Sequence, residues 1–168
     1  MSQAIRFAVL TISDRRSKGD QPDESGPLVR QIFEKELSSQ CHSCAVLADD
    51  QPAIEKELIR LCDTSQVDLI ITTGGTGLSP RDVTPEATQS VIDRQAPGIA
   101  EAIRAAGTKI NPRAMLSRAI CGQRGNTLIL NLSGSPKAVR EQLNVVLPVL
   151  THAIEIARGN VENCGSDH

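Results

Sequence analysis

Apolar, β-branched runs alternate with amphipathic stretches along almost the whole chain, and this alternation restricts the fold more than any other feature. Ile5–Ile12 and residues 67–73 are runs typical of strands buried on both faces. Between these two runs, residues 28–37 carry apolar side chains at helical spacing. Strands that alternate with helices predict a mostly parallel central sheet flanked by helices. We therefore expect one three-layer α/β domain over residues 1–168.

Turn and capping residues set the expected boundaries of these elements. Ser25 is expected to cap the first helix, and Thr84 a later helix that has Pro85 at its first helical position. Pro148 is expected to kink or break the last helix. The other expected segments are strands at residues 43–47, 119–121 and 127–132, helices at 54–62 and 135–157, and a frayed tail at 159–168.

Composition argues against two classes of partner. The chain has two Phe and no Tyr or Trp, so it lacks the aromatic platforms on which single-stranded nucleic acid stacks. Its net charge is −2 and its basic residues are dispersed, so we expect no nucleic-acid partner. No apolar run approaches the roughly 18–20 residues that span a membrane. With an odd, scattered set of five cysteines, these features predict a cytoplasmic protein with reduced thiols and no membrane partner.

Each of the first three predicted strands ends in a polar or glycine-rich loop. These loops contain residues 13–16, then Asp49 and Asp50, then residues 74–77 continuing to Arg81-Asp82. The carboxyl ends of parallel strands meet at one edge of a sheet, which is where ligands of such sheets bind. The loops therefore predict a common site, although the strand order, and with it the nearest neighbours among the loops, stays open.

The glycine-rich loop suits an anion. Gly74, Gly75 and Gly77 let a ligand approach the backbone closely, because they have no side chains in the way. Consecutive exposed amides in such a loop form a concavity that suits phosphate. The stretch lacks the Gly-Lys-Ser/Thr of a P-loop and the spacing of the dinucleotide fingerprint. Taken alone, it is equally compatible with a tight turn that binds no ligand.

Three acids and two arginines accompany this loop. Carboxylates beside a phosphate site repel the ligand unless a cation intervenes, so Asp49, Asp50 and Asp82 are predicted Mg²⁺ ligands. Arg15 and Arg81 are candidates for neutralising charge on phosphate. Each of these side chains also has an ordinary alternative as a solvated loop residue.

The cysteines give weaker signals. Cys41 and Cys44 have the C-x-x-C spacing, but they lead into a strand rather than a helix N-terminus, where a redox pair would lie. A zinc site would need a second ligand pair at a suitable spacing, and the chain offers none. The pattern therefore does not favour a redox or metal function there. Cys62 and Cys121 are expected in the core.

The stretch GGTGLSPRDVTPEAT, with the segments around it, resembles the MogA-type molybdopterin adenylyltransferases, including the G domain of gephyrin. The resemblance runs nearly from end to end. It includes TISDR at residues 11–15, DESGP at 23–27, TTGGTGLSPRDVTPEAT at 72–88, PGIAEAIR at 97–104 and AMLSRAICGQRGNTLILNLSGSPKAV at 114–139. It implies a MogA-like fold, a homotrimer, and Mg²⁺-dependent transfer of AMP from ATP to molybdopterin with release of pyrophosphate. Hand-over of the product to a MoeA-type metal-insertion protein is implied in the same way.

The resemblance also implies roles for particular residues. The two essential acids of the family match Asp49 and Asp82. The loops that contact pterin and nucleotide match Ser13, Asp14, Arg15, Ser25, Gly26, Gly74, Gly75, Thr76, Gly77, Arg81, Ser117, Arg118, Ser133, Gly134, Ser135 and Pro136.

The chain departs from the family pattern in two places. Ala48 precedes Asp49 where relatives often have Pro, and Asp50 follows it, which leaves open which carboxylate acts. Ser133 stands where Pro is commoner. The alternative function is a non-catalytic molybdopterin-binding or carrier protein of the MoaB type, some members of which lack the acid that Asp82 matches.

Overall fold

A six-stranded sheet with helices on both faces forms the centre of the computed structural model, which describes residues 4–159. The strands are β1 (Ile5–Ile12), β2 (Ser39–Leu47), β3 (Leu69–Thr73), β4 (Arg94–Gln95), β5 (Cys121–Arg124) and β6 (Thr127–Leu132). The helices are α1 (Asp14–Ser17), α2 (Ser25–Glu36), α3 (Gln51–Ile59), α4 (Thr84–Val91), α5 (Pro97–Ile110) and α6 (Pro136–Ala157). A π-helical turn at Arg60–Thr64 extends α3, and a 3-10 helix covers Pro112–Leu116.

The strand order is β2-β1-β3-β6-β5-β4. The first four strands in this order run parallel, while β5 pairs antiparallel with both β6 and β4. The expected mostly parallel α/β sheet is therefore confirmed. Because β1 lies between β2 and β3, and β6 lies beside β3, the loops after these four strands are neighbours at one edge of the sheet.

The sheet separates two apolar layers. Phe7 and Phe33 meet edge to face in one of them, with ring centroids 5.2 Å apart, and α2 and α6 cover that side. Ile54 and Leu58 of α3 pack on Leu10 and Ile70 in the other. Cys62 and Cys121 are buried, as expected. Aliphatic side chains thus build most of both layers.

Both predicted helix caps are wrong. Ser25 is the first residue of α2 rather than its cap, and its hydroxyl donates to the Gly134 carbonyl oxygen at 2.7 Å. The Asp23 carboxylate instead accepts from the Gly26 amide. Thr84 is the first residue of α4, and its hydroxyl donates to the Gly74 carbonyl oxygen. In both cases the hydroxyl is used to fix a loop at the carboxyl edge of the sheet.

Some boundaries also differ from the prediction. β2 begins at Ser39, because its edge position tolerates polar residues that do not look like a buried strand. The strand expected at residues 119–121 begins only at Cys121 and pairs antiparallel. Pro148 does not break α6, since it is exposed and water can hydrate the carbonyl that its missing N–H leaves free. The tail expected at 159–168 lies, beyond Gly159, outside the described residues.

Candidate functional site

A cavity of about 700 Å³ opens at the carboxyl ends of β1, β2, β3 and β6. Its walls are mainly polar and charged. It is lined by Ile12, Ser13, Asp14, Arg15, Arg16, Gln21, Glu24, Asp49, Gly74, Gly75, Thr76, Gly77, Ser79, Arg81, Asp82, Gly134, Ser135 and Pro136. The three loops that the sequence pointed to therefore share one cavity, and the loop after β6 adds a fourth wall.

Asp14 and Asp49 join the loops after β1 and β2. The Asp49 carboxylate accepts from the Asp14 amide at 2.9 Å, and the Asp14 carboxylate accepts from the Asp49 amide at 3.1 Å. Two backbone donors that would otherwise face the cavity are thereby satisfied. This reciprocal pair restrains the Asp49 carboxylate where it lines the cavity.

The electrostatics of Asp49 favour a cation. Burial raises the pKa of this carboxyl above its usual range. The hydrogen bond from the Asp14 amide lowers the pKa, whereas the negative charges of Asp14 and Asp82 raise it further. Two carboxylates that repel each other across a cavity become favourable neighbours when a divalent cation lies between them. Asp49 and Asp82 are such a pair, on the loops after β2 and β3, the two strands that flank β1.

Asp82 belongs to a turn that closes over the glycine-rich loop. Its carboxylate accepts from the Ser79 amide at 3.1 Å. A Cβ placed on Gly77 would lie 2.8 Å from the same carboxylate oxygen, so a side chain at that position would push Asp82 away. Gly77 is thus required for the position of the acid.

The other glycines of the loop are required by their surroundings and backbone. Gly74 and Gly75 have φ of 98° and 63°, in the region that favours glycine. A Cβ on Gly74 would lie 2.3 Å from the Ile12 carbonyl oxygen, and one on Gly75 would lie 2.4 Å from the Thr84 hydroxyl oxygen and 3.0 Å from Asp49 Oδ1. The loop therefore packs directly on the two acidic loops and on α4.

Arg118 holds this loop from behind. Its guanidinium donates to the carbonyl oxygens of Gly77 and Asp82, each at 2.7 Å, and it forms an ion pair with Glu86. The Arg118 amide donates to the Thr76 carbonyl oxygen. Arg118 does not line the cavity, so its contribution is to fix the carbonyls of the loop and leave the opposite face free.

The three arginines that line the cavity differ in the contacts that their side chains make. Arg81 forms two hydrogen bonds to the Asp14 carboxylate, each 3.0 Å long, and this contact holds the pKa of Asp14 below its usual value. Arg15 is exposed. Arg16 reaches the Gly134 carbonyl oxygen only at 3.4 Å, and its Nε is buried without a partner. Positive charge thus lies along the wall made by the loops after β1 and β6.

Five other sequence-predicted residues, like Arg118, do not line the cavity. Asp50 caps α3 by accepting from the Ala53 amide. Ser117 and Ser133 accept from the Ala119 amide and the Gln142 side chain. Ser25 and Gly26 lie behind the wall at the start of α2.

The structure does not bring the three acids predicted as Mg²⁺ ligands together as one group. Within residues 4–159, no group of three or more His, Cys, Asp or Glu side chains is arranged to hold a metal ion. Asp49 and Asp82 both line the cavity, whereas Asp50 does not. A pair of carboxylates fits Mg²⁺ that is also held by substrate phosphates, which is its usual mode of binding in nucleotide sites.

Sequence reasoning missed several cavity residues. Arg16, Gln21, Glu24 and Ser79 line it, although the sequence assigned no role to any of them. Glu24 and Ser79 stand within the quoted stretches at residues 23–27 and 72–88. A signal for Arg16 was its place beside Arg15 in the loop after the first strand. The others follow only from how the chain returns from α1 to α2 and from the turn that carries Asp82.

These features define an α/β protein with a polar cavity, lined by a glycine-rich loop and by acidic and basic side chains, at the carboxyl edge of its sheet. Comparison with known proteins gives the family. Residues 8–152 match the model of the family described as "Probable molybdopterin binding domain", and the chain belongs to this family of molybdenum-cofactor biosynthesis proteins.

Individual relatives cover most of the chain. It is 42% identical to a molybdopterin adenylyltransferase of Helicobacter pylori over 159 residues, which are 94% of this chain and 90% of that protein. It is 43% identical over 154 residues to gephyrin of Dictyostelium discoideum, covering 87% of this chain and 21% of gephyrin.

A solved structure shares the fold. The molybdopterin biosynthesis enzyme MoaB of Thermus thermophilus is similar at a TM-score of 0.87 and 44% identity, over 92% of this chain and 97% of that one. The resemblance to MogA and MoaB proteins is therefore confirmed for family and fold. Within residues 4–159, no helix has the length and apolar character needed to cross a membrane.

Proposed function

We propose that this chain is a molybdopterin adenylyltransferase, which transfers AMP from ATP to the terminal phosphate of molybdopterin and releases pyrophosphate. The observation that carries the proposal is the pair of carboxylates, Asp49 and Asp82, facing one polar cavity beside a glycine-rich loop. A Helicobacter pylori relative that carries this activity in its name is 42% identical over 159 residues, which are 94% of this chain and 90% of that protein.

The glycine-rich loop and the arginines would hold the phosphates. Gly75 and Gly77 bring backbone close to a ligand without side chains in the way, and Arg15 and Arg16 supply positive charge from the loop after β1. Arg81 adds charge from the turn that follows the glycine-rich loop, where it pairs with Asp14. Transfer of a phosphoryl-type group requires mainly alignment of the reactants and neutralisation of charge. Fixed loops of this kind supply both without reorganisation during the reaction.

Asp49 and Asp82 would hold Mg²⁺ together with phosphate oxygens of the nucleotide. When bound, the cation would neutralise charge on the α-phosphate and on the departing pyrophosphate. The Asp14 amide keeps Asp49 in place, and the Ser79 amide does the same for Asp82. Asp50 takes no part in this proposal, because it caps α3 and does not line the cavity.

The direct test is a turnover assay with purified protein, Mg-ATP and molybdopterin. We expect adenylylated molybdopterin and pyrophosphate from the wild type. Asp82→Asn should abolish turnover while leaving pterin affinity within about threefold, because it removes a charge that the cation needs and little volume. If the wild type binds pterin and never forms the adenylylated product, the non-catalytic carrier function replaces this proposal.

A matched pair of neighbours makes the test specific. Asp49→Asn should lose at least about 100-fold in kcat, as expected for an electrostatic group in the site. Asp50→Asn should retain turnover near the wild type, because Asn caps a helix about as well as Asp. Equal losses in both variants would count against the assignment of Asp49.

Three further elements belong to the same proposal. The chain assembles as a homotrimer, supported by exposed apolar side chains at Leu78, Ile110, Met115 and Leu116. It acts in the cytoplasm, in line with the four free cysteines of the described residues. It passes its product to a MoeA-type metal-insertion protein, in line with the family resemblance.

A further inference from the structure

Two thiols meet on the outermost strand of the sheet, outside the cavity. The sulfur atoms of Cys41 and Cys44 lie 3.5 Å apart. Both cysteines are free; Cys44 is exposed and Cys41 is partly buried. β2 pairs with β1 alone, so one side of the strand that carries the thiols has no neighbouring strand.

A bulge in β2 produces this contact. Residues three apart in a regular strand point to opposite faces of the sheet. Cys41 lies opposite Phe7 and Cys44 opposite Val9, so β2 uses one more residue than β1 over this stretch. The additional residue, His42, has no partner in the register, and both thiols consequently project to the same face as Phe7 and Val9.

The two thiols have unequal chemistry. Partial burial, followed by the hydrogen bond with Cys41, raises the pKa of Cys44 to about 12. Cys44 therefore keeps its proton at neutral pH. Arg30 of α2 interacts electrostatically with both thiols and therefore does not distinguish between them. Attack on an external electrophile thus falls to Cys41, with Cys44 next to it as the second thiol.

We propose that Cys41 and Cys44 are a redox-modification site, which a low-molecular-mass disulfide such as oxidised glutathione converts into an intramolecular disulfide. The Cys41 thiolate attacks one sulfur of the oxidant, whose S–S bond breaks and releases one thiolate that takes up a proton. Cys44 then loses its proton and attacks Cys41 Sγ, which expels the second small thiol. The protein loses two electrons and two protons, and the oxidant becomes two thiols.

The geometry requires only a local adjustment. The sulfur atoms must approach from 3.5 Å to about 2.05 Å. The side chains sit on an edge strand beside a bulge, where backbone is least restrained by neighbouring strands. The sequence did not favour a redox pair because no helix begins at Cys41, but a bulge that aligns the thiols leaves no pattern in the sequence.

A metal site explains the pair less well. Within the described part of the chain no third His, Cys, Asp or Glu joins the two thiols. A tetrahedral zinc site needs three or four such ligands. Oxidation needs two sulfurs in contact and an accessible path, and the exposed Cys44 side of the strand provides that path.

The test treats reduced full-length protein with a buffer of reduced and oxidised glutathione, followed by alkylation, intact-mass measurement and peptide mapping. The wild type should lose two alkylatable thiols, carry no glutathione, and give a linked Cys41–Cys44 peptide. Cys44→Ser should stop at the mixed disulfide on Cys41, with at least about tenfold more glutathione adduct than the wild type, because intramolecular resolution is lost. Cys62→Ala, which removes a buried thiol, should behave like the wild type.

Three results would overturn the proposal. One is an equal yield of glutathione adduct in the wild type and in Cys44→Ser, which would mean that Cys44 does not resolve the intermediate. Another is retention of all alkylatable thiols under conditions that oxidise a small dithiol of ordinary potential. The last is a disulfide that maps to any other pair of cysteines.

Discussion

Replacement of Gly75 by alanine would test whether steric room in the glycine-rich loop fixes the acidic site. A Cβ there would lie 2.4 Å from the Thr84 hydroxyl oxygen and 3.0 Å from Asp49 Oδ1. Thr84 would have to turn, and its buried hydrogen bond to the Gly74 carbonyl oxygen would be lost. Losing that bond and leaving a buried carbonyl without its partner costs about 2 kcal/mol. The positive φ of 63° costs an alanine about 1 kcal/mol more.

Gly125 provides the matched control. Its φ is 53°, so an alanine there suffers similar backbone strain, but a Cβ would meet nothing within 4 Å. We expect Gly75→Ala to cost about 3 kcal/mol of unfolding free energy and Gly125→Ala about 1 kcal/mol. With a urea m-value of about 2 kcal/mol/M, their midpoints should differ by about 1 M. Equal midpoints would refute the idea that the contacts with Thr84 and Asp49 are the reason why position 75 needs glycine. Turnover should fall only in Gly75→Ala, since only there is Asp49 displaced.

Three other predictions follow from charges and surfaces. Burial alone would raise the pKa of Asp68, but hydrogen bonds from Arg158 and the Arg6 amide lower it in the folded protein. The stabilisation by Asp68 is therefore present above the unfolded pKa of about 3.9 and is lost as the pH falls through the lower folded pKa. Asp68→Asn should cost about 2–3 kcal/mol of unfolding free energy at pH 7 by urea denaturation, and an unchanged midpoint would contradict this. Because the pKa of Asp49 is raised, Mg²⁺ affinity measured by calorimetry should weaken on acidification at a higher pH than it would with an ordinary aspartate. In Asp49→Asn this pH dependence of the affinity should vanish. If the pH dependence persists in the variant, another group causes it. Light scattering should give three times the 18.0 kDa chain mass, and Met115→Lys should lower it, whereas a monomeric wild type would contradict the proposed trimer.

The parts of the fold that sequence predicts well are those where one physical requirement dominates. β1 and β6 begin and end where expected, because a strand buried on both faces needs a mostly apolar run. β2 is poorly predicted at its start, since an edge strand alternates exposed and buried residues and includes a bulge. α1 is missed altogether because four polar residues carry no helical pattern.

The candidate site, like the fold, was only partly predictable from the sequence. The acids and glycines are recognisable because they stand at the ends of strands and in a dense motif. What no pattern contains is the strand order, which decides that Asp49 and Asp82 face one cavity. Nor does a pattern distinguish Asp49 from Asp50, whose different roles follow from one residue capping α3 and the other bonding to the Asp14 amide.

The hydrogen bonds around the cavity have a consequence for how the protein assembles. They join residues that are 35 positions apart at Asp14 and Asp49, 67 apart at Asp14 and Arg81, and 109 apart at Ser25 and Gly134. Contacts of such high contact order form only after most of the loop-closure entropy has been lost. No contiguous fragment of the chain can therefore make the cavity, and it should appear only when the sheet from β2 to β6 is complete. Ligand binding during refolding would then report the final step rather than an early one.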